Sequence, residues 1–184
     1  MNSYAVFLRG INVGGINIKM ADLRVALEAA GFTGVKTLLA SGNVVLASGL
    51  AAAEVKSRCE KCLRDSFGYD AWVVVLSAER VGALVDACPY PEDSKSTHTY
   101  LTLGSDQAVL DELAAAGAAI DGAKQQRLGP EALAWLAPVG GTVDSPFSKI
   151  SAKPKYKAST TTRNLRTMIK VRDAAAALST AEAP

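Results

Sequence analysis

The chain has 184 residues, 49% apolar and 21% charged, with a formal net charge of +2, which fits one ordinary globular domain or two small ones. No apolar run approaches 18 residues, which argues against a membrane-spanning helix, and no basic leader with a cleavage pattern opens the sequence. Three cysteines suit a reduced, cytoplasmic protein better than a disulfide framework.

Residues 4–9 form an apolar run read as the first strand. The glycine-rich stretch Arg9-Gly10-Ile11-Asn12-Val13-Gly14-Gly15 follows. Met20, Leu23 and Leu27 then recur at helical spacing in a helix over 20–30 that stops at Gly31. A second strand over 35–40 leads into the tight turn Ser41-Gly42, and a third begins at Asn43. Val55, Cys59, Cys62, Leu63 and Phe67 mark one face of a helix over 52–67. A fourth strand covers 71–76. Ser77 is placed to cap a third helix with Val81, Leu84, Val85 and Cys88 on its buried face. Pro89-Tyr90-Pro91 ends it.

The expected organisation is a first half over residues 1–88, a linker over 89–97 and a second half over 98–184. The first half reads βαββαβ, the split ferredoxin-like unit. In that unit strands one and two run parallel, with strand three antiparallel between them. The exit of strand one, the start of helix one and the turn at Ser41-Gly42-Asn43 then share one sheet edge. In the second half, a strand over 98–103, a helix over 106–116, a hairpin over 123–137 and a helix over 162–178 read βαββα, a second ferredoxin-like half lacking its last strand. Residues 179–184 are expected to be a disordered tail. Strands one and four are apolar on both faces, so the fold class is α+β, two ferredoxin-like halves packed through their sheets.

The charge is unevenly spread. Residues 145–172 hold eight Lys and Arg and no acid, while the rest of the chain has 12 basic and 18 acidic residues. Lys153-Pro154-Lys155-Tyr156-Lys157 reads as an extended basic segment. Arg163, Arg166 and Lys170 form a basic stripe on the last helix, which Thr160, Thr161 or Thr162 would cap. The plain alternative is that these cations pair with acids elsewhere.

The first block, residues 8–15, with Lys19-Met20 and Ser41-Gly42-Asn43-Val44-Val45, resembles the domain-of-unknown-function family 1697. Thr162-Arg163-Asn164, with Thr167 and Lys170, is similar to that family's C-terminal signature. The resemblance implies a bacterial-type protein of ferredoxin-like α+β architecture and no activity.

The glycine loop matches neither the Walker A nor the dinucleotide pattern. Glycine amides and a helix start can still gather around an anion. The candidate ligand-binding residues are Arg9, Gly10, Asn12, Gly14, Gly15, Lys19, Ser41, Gly42, Asn43, Arg163 and Asn164. Cys59-Glu60-Lys61-Cys62 spells a CxxC, but both sulfurs fall on the apolar face in mid-helix, so they read as core. His98 is the only histidine, and no catalytic triad or metal site is assembled around it. The third strand lacks the aromatics of an RNA-recognition sheet. No cofactor or metal is expected. The first function is an anion- or phosphate-binding module for nucleic acid or a nucleotide. The alternatives are an enzyme on a small phosphorylated or carboxylated substrate, with Asp22 as a weak candidate base, and a structural or interaction protein. The chain is expected to be a monomer or homodimer with no membrane partner.

Overall fold

The computed structural model describes residues 1–11, 17–142 and 144–181. In the first half, β1 (Asn2–Leu8), α1 (Met20–Ala29), β2 (Thr33–Leu38), β3 (Asn43–Ser48), α2 (Ala52–Phe67) and β4 (Val73–Ser77) follow one another. The sheet order is β2-β3-β1-β4, and every neighbouring pair is antiparallel. Strand β3 therefore lies between β1 and β2, as the connectivity predicts. Alternation sends Tyr4, Val6 and Leu8 of β1 to one face, where they join Leu23 and Leu27 of α1 and Val55, Cys59 and Leu63 of α2 in one core. The alternate residues Ala5 and Phe7, with Val45 and Val74, are buried as well. The sheet is thus buried on both faces, which explains its unbroken apolar runs.

The helix α3 (Ala78–Asp86) starts beside Ser77, whose Oγ accepts from the Arg80 N–H at 3.2 Å. This is the predicted cap. Val81, Leu84 and Val85 are buried, and Cys88 is half-buried.

The second half contains β5 (Thr97–Gly104), α4 (Gln107–Ala118), β6 (Gln125–Arg127), β7 (Ala132–Pro138), α5 (Pro146–Ser151), a 3-10 turn (Pro154–Tyr156), β8 (Thr160–Asn164) and α6 (Leu165–Ala181). Its sheet order is β6-β7-β5-β8, again antiparallel throughout. Three expectations are corrected here. The second half does not lack its fourth strand, because residues 160–164 pair with β5 from Tyr100↔Asn164 to Gly104↔Thr160. Three consecutive threonines are β-branched and suit a strand as well as a cap. The last helix consequently starts at Leu165, with Asn164 Oδ1 accepting from the Thr167 N–H at 2.8 Å. It also runs on to Ala181, beyond the expected start of a disordered tail.

A polar tie crosses this second sheet. Trp135 Nε1 donates to Thr102 Oγ1 at 3.1 Å, and that hydroxyl lies 2.9 Å from Thr162 Oγ1. One threonine so links β7, β5 and β8. Trp135 also stacks on Tyr100 with centroids 5.0 Å apart and meets Phe147 at 4.7 Å. Such contacts add to area burial.

Contacts divide the chain into two compact units. One comprises Met1–Gly82 together with the chain from Lys170 onward, and the other Ala83–Ile169. No helix among the described residues is long and apolar enough to cross a membrane.

Cys59 and Cys62 are free, buried thiols. Burial pushes the Cys59 thiol up to about 12, with Cys62 and Glu60 adding to the shift, and raises Cys62 as well. A raised value leaves almost no thiolate at neutral pH. Both cysteines are therefore expected to resist iodoacetamide at pH 8 in the native protein and to react on unfolding in urea. Rapid native labelling of Cys59, read by peptide mass spectrometry, would contradict this packing.

Candidate site at the edge of the first sheet

The register of β1 builds the site. Phe7 pairs with Asn43 on one side, and Leu8 with Val73 on the other. Past that point the Leu8 N–H donates to the Gly42 carbonyl at 2.8 Å, and the Arg9 N–H donates to the Trp72 carbonyl at 3.1 Å. The exit of β1 is so held between the β2–β3 turn and the start of β4. The buried Tyr69 adds a third hold, its hydroxyl donating to the Arg9 carbonyl.

The two glycine-bearing loops meet here. Gly42 has φ of +74°, and a Cβ on it would come within 2.6 Å of Ile11 Cδ1 and 2.9 Å of Leu8 Cβ. Ile11 is buried, so its side chain seats directly on Gly42. Gly10 has φ of +75°, and an added Cβ would touch Tyr69 Oη at 3.4 Å. Both positions favour glycine on conformation, and Gly42 on space as well.

The predicted site residues divide by what they touch. Asn43 is fully buried, and its Nδ2 donates to the Leu38 carbonyl and to Ser41 Oγ, each at 3.0 Å. Asn43 and Ser41 thereby hold the turn that carries Gly42 and the positive-φ Leu39. Arg9 is half-buried. Burial lowers its pKa from the ordinary arginine value, and nearby Tyr69 opposes that shift. Lys19 is exposed at the N-cap of α1 and makes no side-chain cap bond. Asp22 is exposed in the first turn. Asn12, Gly14 and Gly15 lie outside the described residues.

Arg163 and Asn164 belong to the other unit. Arg163 is not on the last helix, so the expected stripe with Arg166 and Lys170 does not form. It sits on β8, buried, with Nη1 donating to Thr161 Oγ1 at 2.7 Å and to the Thr162 carbonyl at 2.9 Å. Asn164 caps α6.

The basic segment is also not a single-sign surface. Lys155 pairs with Glu112, which accepts from the Tyr156 hydroxyl too. Arg166 pairs with Asp93 and Glu92, and Lys149 lies 3.7 Å from Asp144. Residues 154–156 form a 3-10 turn with Tyr156 buried, not an extended strand. His98 bonds Asp93 through Nδ1. The bond from His98, with Arg166 adding to it, holds the Asp93 carboxyl below its usual value, and Lys155 does the same for Glu112. Depressed carboxyls contribute stability above the ordinary carboxylate range and lose it as pH falls through their folded values. No cluster of potential metal ligands occurs among the described residues.

Trp72 was not among the predicted site residues. It reads as part of an apolar strand, yet β4 starts one residue later and Trp72 is 39% exposed. The signal that marks it is the register: one step past Leu8↔Val73 lies Arg9 opposite Trp72.

Residues 1–133 match the family described as "Protein of unknown function (DUF1697)". The chain belongs to that family. The matched span includes both loops and ends before β8, so the resemblance at residues 162–164 lies beyond it. The conserved bacterial protein SP0830 from Streptococcus pneumoniae is similar in structure, with a TM-score of 0.78 and 21% identity, over 94% of this chain and 98% of that one. That likeness carries the fold and no activity. Comparison with curated proteins finds no match.

Two substitutions test the structural roles. Gly42→Ala should lower the unfolding free energy by about 2 kcal/mol or more, because it adds both a strained φ and a clash. Arg163→Ala should cost about 2 kcal/mol through lost buried charge-assisted bonds. Urea denaturation followed by circular dichroism reads both. A Gly42→Ala protein as stable as the parent would show that Ile11 does not rest on this glycine.

Proposed function

We propose that this protein binds a phosphate-bearing ligand at the loop edge of the first sheet. The observation that carries the reading is the position of Arg9: a partly desolvated guanidinium, on a residue whose backbone is fixed by the Trp72 carbonyl and the Tyr69 hydroxyl, where two loops converge. A guanidinium donates two parallel hydrogen bonds to a phosphate or carboxylate, and such bonds strengthen as water is excluded. Gly10 at the surface lets a ligand approach the backbone closely. Lys19 and the uncapped start of α1 lie downstream of the same loop and favour negative charge. Ser41 stands exposed beside the loop edge.

Within that reading a compact ligand is favoured over a long polyanion. The ion pairs of Lys149, Lys155 and Arg166 remove much of the basic track that a nucleic-acid backbone would follow. Arg163 and Asn164 are left to the fold. A cytoplasmic location suits a phosphorylated small molecule and free thiols.

Calorimetric titration with inorganic phosphate and pyrophosphate tests the proposal. Arg9→Ala should weaken binding about tenfold or more, and Arg9→Lys should recover only part of it, because the fork is lost. The melting temperature should move little, since the backbone bonds of residue 9 remain. Unchanged binding by Arg9→Ala, or a parent protein that binds neither anion, would rule out this edge as the site.

A further inference from the structure

We infer that the ligand at this edge carries a flat nucleobase together with its phosphate, and that Trp72 is the surface on which the base stacks. The inference rests on the phosphate reading above and extends it.

Tryptophan is normally well covered in a folded protein, as Trp135 is at 2% exposed. Trp72, by contrast, is 39% exposed. Its backbone is nonetheless held tightly. Its carbonyl accepts from the Arg9 N–H at 3.1 Å, the preceding Ala71 N–H donates to the Tyr69 carbonyl at 2.9 Å, and the following Val73 N–H donates to Glu60 Oε1 at 3.2 Å. Rigid backbone with an uncovered indole is the arrangement that stacking requires, because little ordering remains to be done on binding.

The register supplies the second part. Leu8 pairs with Val73, and the bond from the Arg9 N–H to the Trp72 carbonyl continues that register one step past the two strands, placing Arg9 opposite Trp72. Residues directly opposite in an antiparallel pair have Cβ atoms about 4.5–5.5 Å apart and point to the same face of the sheet. A half-buried guanidinium and an exposed indole thus share one face at adjacent positions. A bare phosphate would use only the first. A ligand bearing a base and a phosphate within one nucleotide uses both, and every nucleobase has a π-face that an indole accepts. Such a group comes either from a free nucleotide or from a single-stranded nucleic acid.

The two tryptophans make the test specific. Quenching of intrinsic fluorescence reports Trp72, because Trp135 is buried. The titrants are AMP, adenosine, inorganic phosphate and a short oligo(dA), with acrylamide as a check on access to Trp72. The expected result is quenching by AMP, weaker quenching by adenosine, and about tenfold loss of AMP affinity in both Arg9→Ala and Trp72→Ala. Trp72→Phe should keep AMP binding by calorimetry while abolishing the quench, which separates stacking from damage to the fold. Inorganic phosphate should depend on Arg9 and not on Trp72. Oligo(dA) tighter than AMP, with a steep salt dependence, would identify nucleic acid as the source; equal or weaker binding would identify a free nucleotide. Phosphate binding that depends on Arg9, with AMP no tighter than phosphate and indifferent to Trp72→Ala, overturns this inference and leaves the phosphate site standing. Binding of none of the titrants overturns both. Acrylamide that fails to reach Trp72 in the free protein overturns the stacking surface alone.

Discussion

Two consecutive backbone amides at the end of β1 point to opposite neighbours. The Leu8 N–H bonds the Gly42 carbonyl and the Arg9 N–H bonds the Trp72 carbonyl. A central strand must satisfy its backbone on both sides, and here the last two amides do so with the first residues of β3 and β4 or the turns before them. This single requirement draws Gly42, Arg9, Trp72 and, through its hydroxyl, Tyr69 to one place. Ile11 resting on Gly42 follows from it, since the chain leaving β1 is already fixed over the turn. The glycine is needed at that turn for space as well as for φ, so the loop and the turn are shaped for each other.

The second unit repeats the strand order but solves its centre differently. Strand β5 is tied to both neighbours by side chains, through Trp135, Thr102 and Thr162. A buried indole N–H and a buried threonine hydroxyl each need a partner, and they satisfy one another. The aromatic stack of Tyr100, Trp135 and Phe147 surrounds that pair with apolar surface. Arg163 lies in the paired strand β8, and Asn164 caps α6.

Much of the first half was legible because its signals are local. The helix at Ala52–Phe67 was expected over the same residues, from apolar positions at helical spacing. The meeting of two distant loops was also legible, since it follows from strand order alone. Residues 160–164 were misread because threonine caps helices and also lines strands; only pairing with β5, a distant partner, decides between them. Asn43 was read as a ligand contact because an asparagine beside a glycine serves equally to pin a turn. The cations of residues 145–172 formed a single-sign block in sequence only, since Glu92, Asp93 and Glu112 reach them through folding. Trp72 was hidden by its neighbours, an apolar residue at the head of an apolar strand.

The helix α6 has a consequence for how the chain is made. Its residues from Lys170 onward belong with the first unit, and Leu178 seats on Gly34 of β2, where an added Cβ would lie 2.5 Å from Leu178 Cδ1. The first sheet leaves the ribosome early, yet Leu178, which lies against Gly34, is synthesised only after the entire second unit. Domains generally fold in order of synthesis, but here the earlier unit is complete only once the later one has been made. During that interval β2 stands at the sheet edge without Leu178 against Gly34, and an exposed edge strand invites pairing with other chains. Thr33, Gly34 and Lys36 are exposed in the finished protein, and a glycine with a lysine close by is a poor template for such pairing, which suits a strand that must stand unaccompanied while translation proceeds.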